Sequence, residues 1–158
     1  MIRVLIVEDF QLVRRGIVSN ISKDKEIEIV AEVETTQDAI NRTIELKPDI
    51  VLMDLKLGDD DFGGITATKK IKEVLEDTNV LILTFYDDPE YINSAIDARV
   101  DGYLLKDIDQ GELIKAIKTI CIKKQSVIHP SIATKMMKQM ADKDGENKKK
   151  NEIVDSLS

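Results

Sequence analysis

The chain has 158 residues, 42% hydrophobic and 34% charged, with a formal net charge of −7; that is enough for one domain with a proper core and a polar appendage. The acid excess argues against a basic face for nucleic acid or an anionic membrane, and no apolar run approaches the ~20 residues that span a bilayer. One cysteine, Cys121, excludes an internal disulfide and fits a reducing cytoplasm, and Met1-Ile2-Arg3 leads into an apolar run too short for a signal peptide.

Val4-Leu5-Ile6-Val7 is unbroken apolar sequence ending at Glu8-Asp9, the pattern of a strand buried on both faces. Phe10 to Ile21 reads as a helix, with Leu12, Val13, Gly16, Ile17 and Ile21 at helical spacing and Arg14, Arg15 and Asn20 between them. After the polar turn Lys23 to Glu26, the stretch Ile27 to Val33 alternates as a strand nearer an edge. Thr35 or Thr36 caps a helix carrying Ala39, Ile40, Thr43, Ile44 and Leu46. Pro48 stops that helix, and Ile50-Val51-Leu52-Met53 then runs straight into Asp54.

An acidic loop comes next, with Asp59-Asp60-Asp61, and Gly63-Gly64 closes it. Ile65 to Leu75 is the next helix, with Ile65, Thr68, Ile71, Val74 and Leu75 on one face. Val80 to Leu83 is a further buried strand ending at Thr84. Asp88-Pro89 opens a helix with Pro in its first turn, carrying Tyr91, Ile92, Ala95, Ile96 and Ala98. Gly102-Tyr103-Leu104-Leu105 is a short strand ending at Lys106, and Leu113, Ile114, Ala116, Ile117, Ile120 and Cys121 stripe a last long helix. The fold expected is α/β and flavodoxin-like: a five-stranded parallel sheet in the order 2-1-3-4-5, with helices on both faces.

From residue 124 the character changes. A short helix is predicted over 131–141, with Ile132, Met136 and Met140 at i, i+4, i+8. Asp142 to Lys150 reads as a solvated linker, Lys148-Lys149-Lys150 included. His129, beside Pro130, reads as linker filler, the Met136-Met137-Met140 cluster as packing surface and Cys121 as a small core residue.

Parallel strands place their carboxyl ends on one edge. That edge gathers Glu8, Asp9 and Asp54, the hydroxyl of Thr84 and the ammonium of Lys106. Three carboxylates in one crevice need a raised pKa or a cation. A hard oxygen-seeking ion such as Mg²⁺ (or Mn²⁺) answers that need, with Lys106 as a second positive point. Such a group suits an incoming phosphoryl, with Asp54 as nucleophile and Thr84 donating to a phosphoryl oxygen.

These strand-ending residues resemble the receiver domain of two-component response regulators, over residues 1–123. The resemblance implies that Glu8, Asp9, Asp54 and the backbone carbonyl of Lys56 hold the metal, and that a sensor histidine kinase phosphorylates Asp54. It implies that Thr84, Lys106 and Tyr103 form the clamp and switch, and that Lys56, Phe85 and Tyr86 tune the lifetime of the phosphate. Leu12-Val13-Arg14-Arg15-Gly16 and His129-Pro130-Ser131-Ile132-Ala133 resemble the LuxR/NarL-type subfamily, in which a Leu-Ser or Leu-Thr pair opens a helix-turn-helix domain. Leu157-Ser158 matches that pair, so 124–158 is expected to be a linker toward a DNA-binding domain absent from this sequence. The resemblance further implies a cytoplasmic signalling switch rather than an enzyme with a separate substrate. It would form a homodimer on phosphorylation, meet DNA only through the absent domain, and have no membrane partner.

Departures from the pattern are a longer loop after Asp54, Gly58 where Pro is common, and bulky Phe85 where a small residue is usual. Two other readings stand beside it. One is a stand-alone receiver that controls a protein partner. The other is a haloacid-dehalogenase-like phosphohydrolase, which calls for a second acid two residues after its nucleophile, where this chain has Lys56.

Overall fold

The computed structural model describes residues 1–142; the tail from 143 onward, with Lys148-Lys149-Lys150 and Leu157-Ser158, lies outside the described residues. Strand and helix alternate as β1 (Ile2–Val7), α1 (Gln11–Ile21), β2 (Ile27–Val33), α2 (Thr36–Leu46), β3 (Ile50–Met53), α3 (Gly63–Val74), β4 (Asn79–Thr84), α4 (Pro89–Asp97), β5 (Gly102–Leu105), α5 (Gln110–Cys121) and β6 (Val127–Ile128). The sheet order is β2-β1-β3-β4-β5-β6, and each neighbouring pair is parallel. The expected 2-1-3-4-5 order is present, and a sixth, two-residue strand is added outside β5.

Side chains alternate along each strand, so the apolar runs feed two cores. Leu5, Val7, Val51, Met53, Val80 and Ile82 face α2, α3 and α4, while Val4, Ile6, Ile50, Leu52, Leu81 and Leu83 face α1 and α5. This is why β1, β3 and β4 read as continuous apolar sequence. β2, on an edge, is buried only at its ends, in keeping with its alternation.

Local signals start the helices. Thr35, of the two candidates, caps α2, its side chain accepting from the Asp38 amide at 3.1 Å. Asp88 stands at the N-cap of α4, with Pro89 in the first turn. Asp109 caps α5. The buried stripes are narrower than the spacing suggests: Leu12, Val74 and Ile96 are exposed. Helical spacing sets a face but not its width, which depends on what packs opposite.

Residues 130–142 are helical, close to the predicted 131–141. Ile132 is fully buried and belongs to the same core cluster as α4. The stretch 127–142 is thus part of the folded body.

Candidate functional site

Register carries the site residues to one edge. β1 pairs with β3 through Val7↔Met53, so Glu8 and Asp54 leave the sheet side by side. The Asp54 amide donates to the Val7 carbonyl at 3.2 Å, and the Glu8 amide to the Val33 carbonyl at 3.0 Å. β4 pairs with β5 through Thr84↔Leu105, which brings Lys106 beside Thr84. The Lys106 amide donates to the Thr84 carbonyl at 2.9 Å.

Lys106 is the hub. Its Nζ lies 2.7 Å from Asp54 Oδ2 and 3.0 Å from Glu8 Oε1, with all three side chains nearly buried. Carboxylate oxygens of Glu8, Asp9 and Asp54 lie within 4.8 Å of one another. Burial, together with the Asp54 carboxyl beside it, pushes the Glu8 carboxyl up to about 8, against the pull of Lys106. Two buried acids therefore share one ammonium, and the third acid, Asp9, stays in solvent. Asp9 Oδ2 accepts from the Gly58 amide at 2.9 Å, a bond that the proline more usual there has no N–H to make.

A cleft of about 510 Å³ opens over this group. Asp59, Asp61, Lys56, Phe85 and Tyr86 line it with Glu8, Asp9, Asp54 and Lys106. Phe85 is exposed, and Lys106 Nζ sits 4.8 Å from its ring centroid. The ring thus lies over the ammonium at the mouth of the cleft. Lys56 Nζ is 4.8 Å from the Tyr86 ring centroid and 3.5 Å from Asp61. Tyr86 and Phe62 both pack against Tyr91 of α4 with tilted rings, which ties the acidic loop to the loop after β4. Asp60 is committed to its own loop, accepting from the Phe62 amide at 2.9 Å.

Thr84 is fully buried, and its Oγ1 accepts from the Tyr86 amide at 3.4 Å. Tyr103 is buried as well, its hydroxyl donating to the Tyr86 carbonyl at 2.6 Å. Burial, with Asp87 and Asp88 nearby, pushes its phenol well above the ordinary tyrosine range. The Tyr103 hydroxyl and the Lys106 ammonium are thus both engaged in this structure, one on the loop after β4 and the other on Asp54.

Sequence reasoning misses three contributors. Gly64 permits the first turn of α3 to lie on the backbone at Asp54: a Cβ there would collide with the Asp54 carbonyl oxygen. The Gly63-Gly64 pair is the available signal, though by itself it marks no more than a loop end. Arg14 donates to the Glu8 carbonyl and pairs with Glu34 at 2.8 Å, a contact between α1 and the strand ends that helical spacing does not reveal. His129 caps the helix over 130–142, its Nδ1 accepting from the Ser131 amide at 3.2 Å.

Residues 4–118 match the family model described as "Response regulator receiver domain". The chain belongs to the response regulator receiver family. This receiver is 36% identical over 157 residues to the response regulator protein VraR of Staphylococcus epidermidis, covering 99% of this chain and 70% of that protein. It superposes on a LuxR family two-component response regulator from Aurantimonas sp. with a TM-score of 0.81 and 31% identity, over 88% of this chain and 97% of that one. It also superposes on the isolated receiver domain of RcsB from Salmonella enterica serovar Typhimurium, solved in the presence of phosphomimetic BeF3−, with a TM-score of 0.74 and 25% identity, over 84% of this chain and 96% of that one. The receiver is thus of the LuxR type. No described helix is long and apolar enough to cross a membrane.

Proposed function

We propose that this receiver is a cytoplasmic signalling switch phosphorylated on Asp54 by a sensor histidine kinase. The observation that carries the reading is the Asp54 carboxylate, bound at 2.7 Å by Lys106 and grouped with Glu8 and Asp9 at the floor of an open cleft. A carboxylate oxygen of Asp54 attacks phosphorus, the bond from phosphorus to the donor's nitrogen or oxygen breaks, and an acyl phosphate forms. Lys106 offsets the charge gained, and the Thr84 hydroxyl donates to a phosphoryl oxygen.

The donor set fits a hard divalent cation. Glu8, Asp9 and Asp54 present carboxylate oxygens within one ion's reach, the hard oxygen ligands that such a cation prefers. The Lys56 carbonyl would complete the protein ligands. Bound there, Mg²⁺ or Mn²⁺ would supply charge neutralisation for the phosphoryl oxygens.

Thr84 is the element that shifts. Phosphoryl binding draws its hydroxyl from the Tyr86 amide, and the two-state loop after β4 moves with it. The LuxR-type relatives support a transcriptional output: a phosphorylated homodimer, with DNA contact made by a further domain joined through the C-terminal residues. Lys56, Phe85 and Tyr86, around the mouth of the cleft, set the acyl phosphate lifetime. A phosphohydrolase of the haloacid-dehalogenase kind is disfavoured because the position two residues after Asp54 holds Lys56, paired with Asp61 and lying against Tyr86, and not an acid.

Incubation with acetyl phosphate and Mg²⁺ should add one phosphoryl group to the wild type and none to Asp54→Asn, read by intact-protein mass. Equal labelling of the two would overturn the assignment.

A further inference from the structure

β6 and the helical residues 130–142 are held by the loop and strand that lie next to Thr84. The Val127 amide donates to the Asp101 carbonyl at 3.2 Å, and the His129 amide to the Tyr103 carbonyl at 2.9 Å. Gly102 makes room for this added strand: a Cβ there would stand 2.9 Å from the Val127 carbonyl oxygen and 2.6 Å from Leu81 Cδ1. Ile132 is the buried apolar anchor. Lys135 Nζ holds Asp87 twice, its carboxylate at 2.7 Å and its carbonyl at 3.3 Å. Asp87 is three residues beyond Thr84, and the neighbouring Tyr86 carbonyl accepts the Tyr103 hydroxyl.

We propose that residues 127–142 are a strap docked on the edge formed by α4 and β5, and that phosphoryl occupancy of Asp54 releases it. The proposal rests on the reading of Asp54 as phosphoacceptor. The Thr84 hydroxyl is held by the Tyr86 amide. When it turns to a phosphoryl oxygen it gives up that contact, and the backbone of Tyr86 and Asp87 is freed to move. Lys135 then loses both of its acceptors together. The strap is otherwise held by a two-residue strand, the buried Ile132, half-buried Met136 and His129 at 3.4 Å from Asp107, a docking small enough for a modest differential interaction to shift its population. The same residues join the receiver to the C-terminal part of the chain, so release loosens the tether between the two. The edge is thus a docking surface whose occupant is the chain's own segment.

Hydrogen exchange of the full chain, monitored by mass spectrometry of peptides covering 127–142, tests this in two arms. In the unmodified chain, Lys135→Ala should speed exchange of the strap about two- to fivefold, the effect of losing a half-exposed ion pair. Lys135→Asp should do the same, and Asp87→Lys in that background should restore protection. Beryllofluoride with Mg²⁺ should speed the same amides in the wild type at least as much as Lys135→Ala does. Exchange of Lys135→Ala equal to wild type overturns the docking. Strap amides unchanged or slowed by beryllofluoride, in protein that takes phosphoryl from acetyl phosphate, overturn the release. Failure to take phosphoryl overturns the Asp54 assignment instead, and the first arm, which uses no phosphoryl group, still decides whether the strap is held by Lys135.

Discussion

The ammonium of Lys106 meets the carboxylate of Asp54 at 2.7 Å, with 6% and 9% of the two side chains exposed. The same ammonium is shared with Glu8, so its removal and the removal of either acid have unequal consequences. Lys106→Met leaves two buried acids without a cation and should destabilise by about 3–5 kcal/mol, the scale for breaking a buried pair from one side. Asp54→Asn leaves one acid facing one ammonium and should be near neutral or stabilising. Urea unfolding of the two variants beside wild type at neutral pH checks the ranking, and equal losses would refute it.

Glu8 makes the stability depend on pH. Its carboxyl is raised in the folded state from 4.5 to about 8, so the folded chain holds this proton more tightly than the unfolded chain. The associated stabilisation is fully present below 4.5 and is lost as the pH rises through about 8. With EDTA present, the wild type should lose stability relative to Glu8→Gln across that window. The readout is the urea midpoint at a series of pH values, and parallel curves would refute the cause.

Gly64 and Gly16 should respond oppositely to the same change. A Cβ at Gly64 meets the Asp54 carbonyl oxygen, whereas one at Gly16, in the middle of α1, meets nothing within 4 Å. Gly64→Ala should destabilise by about 1–3 kcal/mol, as overpacking does. Gly16→Ala should stabilise by about 0.4–1 kcal/mol by restricting the unfolded chain. Thermal or urea unfolding separates them, and the same sign for both would contradict the packing.

Phe85 covers the Lys106 ammonium at the mouth of the cleft. Phe85→Ala should open Asp54 to water and shorten the acyl phosphate lifetime by up to roughly fivefold, equivalent to a cation–π contact of about 1 kcal/mol. The decay of the phosphorylated mass after removal of acetyl phosphate gives the rate. A longer lifetime in the variant would show that the ring promotes hydrolysis instead of shielding the site.

The order of elements is legible because a strand covered on both faces must be apolar throughout. Four such runs, each ending at a polar residue, mark Glu8, Asp54, Thr84 and Lys106 in the sequence itself. The rule that parallel strands end together then brings those residues to one edge. The sequence by itself therefore determined the fold class, the strand order of the first five strands and which strand-ending residues share one edge of the sheet. Only the tertiary structure decided how the site's charges are shared. Lys106 lies between Glu8 and Asp54, the Gly58 amide holds Asp9, and Gly64 abuts the Asp54 carbonyl. These relationships rest on distances of a few ångströms that no periodicity encodes. The helix over 130–142 is legible in its spacing, but its docking is hidden for a related reason: β6 is only two residues long, and the partners of the segment, Tyr103 and Asp87, lie tens of residues upstream. Long-range pairing of this kind is set by packing against a finished surface, and that surface exists only once the sheet has formed.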